Sequence, residues 1–193
     1  MIKIDKLNEE FKKATKAQKR VMIAKDVLAQ IKAERYFPKR GEWARPLWSD
    51  DQKSIDIKLD PNSSIKDAFK SKAINSCKVC ALGGLFMSCT NLNNNTTVGD
   101  MKTEYYIGEF VNDDVKISNG LNRIFTQKQL MLIETYFEGG AGYFKSYSHH
   151  FSYSDEKLLV IFFKSFNDDE RLKMIMQNII DNNGTFKPKK LNI

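Results

Sequence analysis

Two parts of this chain have residue types and spacing that suit chemistry at a metal or a thiol. Cys77-Lys78-Val79-Cys80 is a Cys-x-x-Cys pair, and Cys89 lies twelve residues beyond Cys77. Such a pair serves structural zinc when a second pair completes a tetrahedron, and thiol–disulfide exchange when a strand leads into it. Read as one helix over 76–92, the segment sets Cys89 about 18 Å from Cys77 at 1.5 Å rise per residue, out of reach of a shared ion. The remaining donors, His149 and His150, are sequence neighbours and point in different directions. No strand is predicted ahead of Cys77, so the cysteines read as small packing residues and no metal ligand is assigned. As general acid or base, the histidines would have the nearby tyrosines and Asp155 as helpers. No Ser, Cys or carboxylate beside them stands in a recognised nucleophile context. Gly139-Gly140-Ala141-Gly142 follows a predicted helix instead of opening one, the wrong context for a phosphate cradle. The chain leans away from an enzyme, with no catalytic residue and no cofactor assigned.

Recognition chemistry is better represented. Residues 36–48 hold both tryptophans, two prolines, a glycine and several cations, and 139–153 holds tyrosines, phenylalanines and both histidines. Both are read as irregular loops at helix ends, where aromatic and arginine side chains stack on partners. The candidate binding residues are Trp43, Arg45 and Trp48 from the first, and Tyr143, Tyr147 and His149 from the second. Arg20 and Arg35 join them because they fall on the apolar stripe of a helix starting at Lys16, where an arginine must snorkel, pair or meet a ligand. That helix delivers Arg35 to the first loop, and a helix starting at Gln127 delivers Glu138 to the second. Loops at the same end of the molecule would form one pocket; otherwise each lids a different part of the core.

The elements that must position these residues are helical. Thr15-Lys16-Ala17-Gln18 and Thr126-Gln127-Lys128-Gln129 have the form of capping boxes, and Asn167-Asp168-Asp169-Glu170 opens the final helix, whose Leu172, Ile175, Met176, Ile179 and Ile180 follow helical spacing. Further segments are a helix over 4–14, one over roughly 63–73, and a turn or two at 121–125. Ile55–Leu59 alternates as a short extended segment would. Residues 157–164 stay open between strand and buried helix, with Ser154-Asp155-Glu156 favouring helix. The stretch 76–92, apolar around its whole circumference apart from a strip of small residues (Cys77, Cys80, Ala81, Gly84, Ser88, Asn91), reads as a buried central helix. Together these predict an all-α or nearly all-α single domain over 1–193, an irregular bundle of about seven helices around the central one, with 185–193 as a basic C-terminal tail.

The net charge of +7 is uneven: residues 1–40 hold 12 Lys/Arg against 5 Asp/Glu, and 185–193 add three lysines. Basic ends suit nucleic acid or another polyanion, and they suit equally a solvated helical surface. No apolar run is long enough for a membrane span, no secretory signal is evident at the N-terminus, and an odd cysteine count fits a reducing compartment, so cytoplasmic residence is expected.

Two stretches, Gln18-Lys19-Arg20-Val21-Met22-Ile23-Ala24-Lys25-Asp26-Val27-Leu28-Ala29-Gln30-Ile31 and Cys77-Lys78-Val79-Cys80-Ala81-Leu82-Gly83-Gly84-Leu85-Phe86-Met87-Ser88, resemble uncharacterised small proteins of bacteria, phages and other mobile elements. The resemblance extends through Leu130–Glu134 and the final helix. It implies no activity and no catalytic residues, only a context: accessory genes whose products bind or inhibit host machinery. The function expected is a non-enzymatic cytoplasmic binding protein with a protein partner. The second reading is a nucleic-acid or nucleotide binder using Lys12, Lys13, Lys16, Lys19 and Arg20 with the Trp43/Trp48 loop. The oligomeric state is left open.

Overall fold

Three helices of this chain begin where a side chain satisfies amides that a first helical turn leaves without partners. The computed structural model describes residues 2–42, 44–47, 76–93, 121–139 and 153–191. Among these residues are α1 (Ile2–Lys13), α2 (Lys16–Lys32), α3 (Ala81–Asn93), α4 (Gln127–Glu138), α5 (Tyr153–Ser165) and α6 (Asp168–Asp181), three short strands and a 3-10 turn at Pro188–Lys190. Thr15 opens α2 as a full capping box: its Oγ1 accepts from the Gln18 amide at 3.3 Å, and Gln18 Oε1 accepts from the Thr15 amide at 2.9 Å. Asn167 and Glu170 do the same for α6, both at 3.0 Å. Thr126 caps α4 through the Gln129 amide at 3.3 Å. The fold is mostly helical, as expected, and residues 157–164 lie within α5. The Ile55–Leu59 segment, the helix expected over 63–73 and the mixed stretch 98–116 lie outside the described residues.

Two boundaries differ from the sequence reading. The central helix does not start at residue 76: Ser76–Val79 is strand β3, and α3 begins at Ala81. Residues 36–48 are not one irregular loop but supply β1 (Tyr36–Pro38) and β2 (Ala44–Leu47). The sheet order is β1-β3-β2, with β1 parallel to β3 (Tyr36 opposite Cys77) and β2 antiparallel to it (Ala44 opposite Val79). Flanked on both sides, β3 is held by ladders that local preference over four residues cannot outweigh. Its burial alternates, with Cys77 and Val79 inward, as the pleat requires. Pro46 sits on an edge strand, where a missing N–H is tolerated.

From β3 the chain passes through Cys80 into α3, in which Ala81 to Thr90 and Leu92 are all buried. α2 crosses α3 along the small-residue strip, where a Cβ placed on Gly84 would stand 3.7 Å from Val27 Cγ1. α1 and α4 pack on α3 as well, and α6 covers the other side of α2. Arg20 ties this layer to the rest: its Nε donates to the Gly184 carbonyl at 2.5 Å and its Nη1 to the Ile124 carbonyl at 2.7 Å. The basic segment expected as a tail is anchored as far as it is described, with Phe186 buried and the Lys187 amide donating to Asn178 Oδ1 at 2.7 Å.

The Gly84 contact gives opposite expectations for two substitutions. Ordinary van der Waals distance to Val27 leaves room for one methyl, so Gly84→Ala should raise stability by up to about 1 kcal/mol through helix propensity. Gly84→Leu should overpack the α2–α3 contact and lower stability by about 1–3 kcal/mol. Urea midpoints of the two variants check both signs.

Candidate functional site

The sheet topology builds a site at one end of the molecule. Because β3 lies between β1 and β2, the turn joining the outer strands must cross the carboxyl end of β3, above the entry to α3. The Lys39 amide donates to the Val79 carbonyl at 2.9 Å, which continues the β1 ladder to that end. Arg40 and Gly41, in the turn, then meet residues from three helices.

Asp168, the first residue of α6, is the hub. Its Oδ2 accepts from the Arg40 amide at 2.9 Å, and its Oδ1 accepts from Arg40 Nε at 2.8 Å and also from Arg171 Nη2. Arg171 is only 2% exposed; its Nε donates to the Asn167 carbonyl at 3.3 Å, and its Nη1 has no hydrogen-bond partner among the described residues. Both guanidinium groups lie against the Phe163 ring of α5, Arg171 at 4.2 Å and Arg40 at 4.8 Å from its centroid. Glu138 closes the far side, with Oε2 accepting from the Gly41 amide at 3.0 Å. Gly139 ends α4 in the left-handed region, φ 48°, with its N–H on the Thr135 carbonyl at 3.0 Å. A Cβ there would fall within the Phe163 ring, so glycine serves both the turn and the aromatic packing.

The electrostatics follow from this arrangement. Burial would raise the Asp168 carboxyl, but the Arg40 amide and guanidinium and the Arg171 charge outweigh it and hold it below the usual value. Burial raises Glu138, with the Gly41 N–H opposing. Burial and the neighbouring Glu138 push Glu134, one turn earlier on α4, to about 7. Cys80, whose Sγ accepts from the Gly83 amide at 3.4 Å, is pushed up by burial and by Glu138 and Glu134. Burial also pushes Cys77 up to about 12 and Cys89 to about 11. All three thiols are buried and stay protonated at neutral pH, the opposite of an activated thiolate. Although a strand does precede Cys80, the surroundings oppose redox use. Among the described residues no cluster of His, Cys, Asp and Glu could hold a metal ion.

The residues expected from sequence fare differently. Arg20 is spent on two backbone carbonyls and stacks 6.0 Å from Phe125, a structural tie. Arg35 is not on the helix stripe expected for it: α2 ends at Lys32, and Arg35 is exposed in the link to β1, close enough for its charge to oppose the effect of burial on Asp26 and Tyr36. For Arg45 only the backbone, in β2, is described; Trp43, Trp48, Tyr143, Tyr147 and His149 lie outside the described residues. The roots of the two aromatic segments do meet, since Gly41 of the first bonds Glu138, after which the second begins. Of the basic residues in the nucleic-acid reading, Lys12 pairs with Glu9 at 2.9 Å and Lys19 lies 5.5 Å over Phe11, whereas Lys13 and Lys16 are exposed. An open groove of about 580 Å³ between α1 and α2, rimmed by Lys13, Gln18, Met22 and Asn183, shares no residue with the Asp168 site. Arg40, Glu134, Phe163, Asp168 and Arg171 were not anticipated as site residues. From sequence alone Asp168 is only part of a helix start.

Compared with protein-family models, curated proteins and solved structures, the chain matches none of them. No site residue is therefore carried over from a relative.

Two outcomes test the arrangement. Asp168→Ala leaves the buried Arg171 charge unpaired and should cost about 3 kcal/mol or more in chemical denaturation, with Asp168→Asn costing less. Glu134 keeps its proton in the folded state between its ordinary 4.5 and about 7, whereas the unfolded chain releases it across that window. Its contribution to stability therefore falls as pH rises from 4.5 to 7, by up to about 3 kcal/mol. Glu134→Gln should gain on the wild type through that window and then hold its lead, as read from melting midpoints at each pH.

Proposed function

We propose that this chain is a non-enzymatic cytoplasmic binding protein whose partner is another protein, and that the Arg40 end of the molecule is its recognition surface. One observation carries this reading. Arg40 is 45% exposed, yet its guanidinium is oriented by the Nε bond to Asp168 Oδ1 and by the Phe163 ring, while its backbone amide donates to Asp168 Oδ2. A planar cation whose conformational freedom is already lost is the kind of residue that dominates protein interfaces. It stands where the Trp- and Tyr-rich segments begin, and these are rich in the other residue types that carry interface energy. The resemblance to mobile-element proteins adds a context, an accessory factor acting on a host component. The nucleic-acid reading is second, because Arg20 and Lys19 are engaged within the fold.

The test is capture of partners from host lysate on the immobilised chain, followed by affinity measurement with the partner identified. Arg40→Ala should fold with a melting midpoint within a few degrees of wild type and bind at least tenfold more weakly. Equal affinity removes Arg40 from the interface, and absence of any specific protein partner removes the reading itself. Retention on nucleic acid at about 50 mM salt, with a steep loss at higher salt, puts the second reading in its place.

A further inference from the structure

Leu158 to Phe163 is an unbroken apolar run of six residues in α5. At 100° per residue such a run goes all the way round a helix, so burying one side turns the other outward. Leu159 and Phe162 go in, and the Phe162 ring packs 5.7 Å from Tyr136 and 5.5 Å from Phe166. Val160 and Ile161 come out, 45% and 50% exposed. Lys157 and Lys164, both exposed, lie one turn to either side on the same face, at positions i and i+7 around i+3 and i+4. Neither lysine is paired with a carboxylate among the described residues.

We infer that this face of α5 docks an acidic amphipathic helix of the partner protein, with apolar side chains seated on Val160 and Ile161 and carboxylates reaching Lys157 and Lys164. The inference rests on the proposed binding function and names the chemistry of the partner. Charge decides between occupants. A second copy packed through the same face sets lysine against lysine: antiparallel packing about the midpoint of Val160 and Ile161 opposes 157 to 164, and parallel packing opposes each lysine to its own counterpart. Like charges so placed repel, whereas carboxylates at the same spacing attract. An anionic bilayer has the right sign, but helix insertion scales with buried apolar area, and the inner side of α5 is already committed to the core.

The probe is a synthetic helical peptide with two leucines on one face and a glutamate one turn to either side, beside a counterpart with lysine in place of glutamate. Both are measured against the full chain, together with phosphatidylserine-containing vesicles. The acidic peptide should bind at least tenfold more tightly than the basic one and weaken as salt is raised. Ile161→Asp should reduce that binding at least tenfold, and the double change Lys157→Glu with Lys164→Glu should swap the preference to the basic peptide. All three positions are exposed, and an unchanged melting midpoint confirms that each variant is folded. Equal binding of the two peptides, no binding of either, indifference to Ile161→Asp, or tighter binding to vesicles overturns the proposal. A lysate partner that binds Ile161→Asp as well as wild type also overturns it, while leaving the binding function itself in place.

Discussion

A helix that is apolar on every side has to be covered on every side, and α3 imposes that requirement on the whole molecule. From Ala81 to Thr90 every residue is buried. Its first turn cannot rely on water for its amides, and the Cys80 sulfur accepts from Gly83 instead. Burial also fixes which helix lies where. Along the small-residue strip α2 lies against α3 with Val27 set over Gly84, where there is room for a methyl group and not for a larger side chain. The sheet, α1 and α4 fill the remaining directions.

Covering such a helix brings polar groups inside with it, and these are matched in small local networks. Asn91 of α3 donates to both Asp26 oxygens of α2 at 3.3 and 3.4 Å, and Gln30 donates to the same carboxylate at 3.1 Å. Burial raises the Asp26 carboxyl, and Ser88, Gln30 and Asn91 offset part of that shift. Ser88 stands close enough to Asp26 and Tyr36 to act on both, yet its Oγ makes no hydrogen bond of normal geometry to either. Tyr36, wholly buried, is held protonated by burial and by the Asp26 charge. A neutral phenol beside a carboxylate suits a core polar contact, and it hands the start of β1 directly to α2.

The Asp168 site is a second consequence of the same architecture. The β1–β2 turn must pass over the mouth of α3, and the ends of α4, α5 and α6 converge there. A carboxylate at the first position of α6 meets two arginines and the Arg40 amide, which hold it low against the effect of burial, whereas burial and the Glu138 charge push Glu134 up to about 7. Buried charge of both signs at this point specifies how the turn seats more than it adds stability. The exposed part of that investment is Arg40. On α5 the opposite logic holds: the run Leu158–Phe163 packs through one side, and the apolar residues left over lie in solvent between two lysines.

Much of the helical framework is local information and could be read directly from the chain. Thr15 with Gln18 and Asn167 with Glu170 are capping pairs three residues apart, and the Leu172, Ile175, Met176, Ile179 spacing needs no distant partner to define an inner face. The burial of 81–92 was legible for the same reason, because no rotation of that helix exposes a polar side. The strand β3 was not: Ser76–Val79 is too short for its period to stand out, and it is a strand only because β1, some forty residues earlier, lies beside it. The roles of the arginines were equally hidden. Arg20 stood out because it interrupts an apolar stripe, yet its two acceptors are backbone carbonyls at residues 124 and 184, which no pattern announces. Arg40 and Asp168 are 128 residues apart, and neither breaks a local pattern. Sequence determines which residues can begin a helix or line a core, because those are near-neighbour effects. Whether an arginine becomes a tie, a clasp or a surface for contact depends on what stands opposite it, and only the tertiary structure supplies that group.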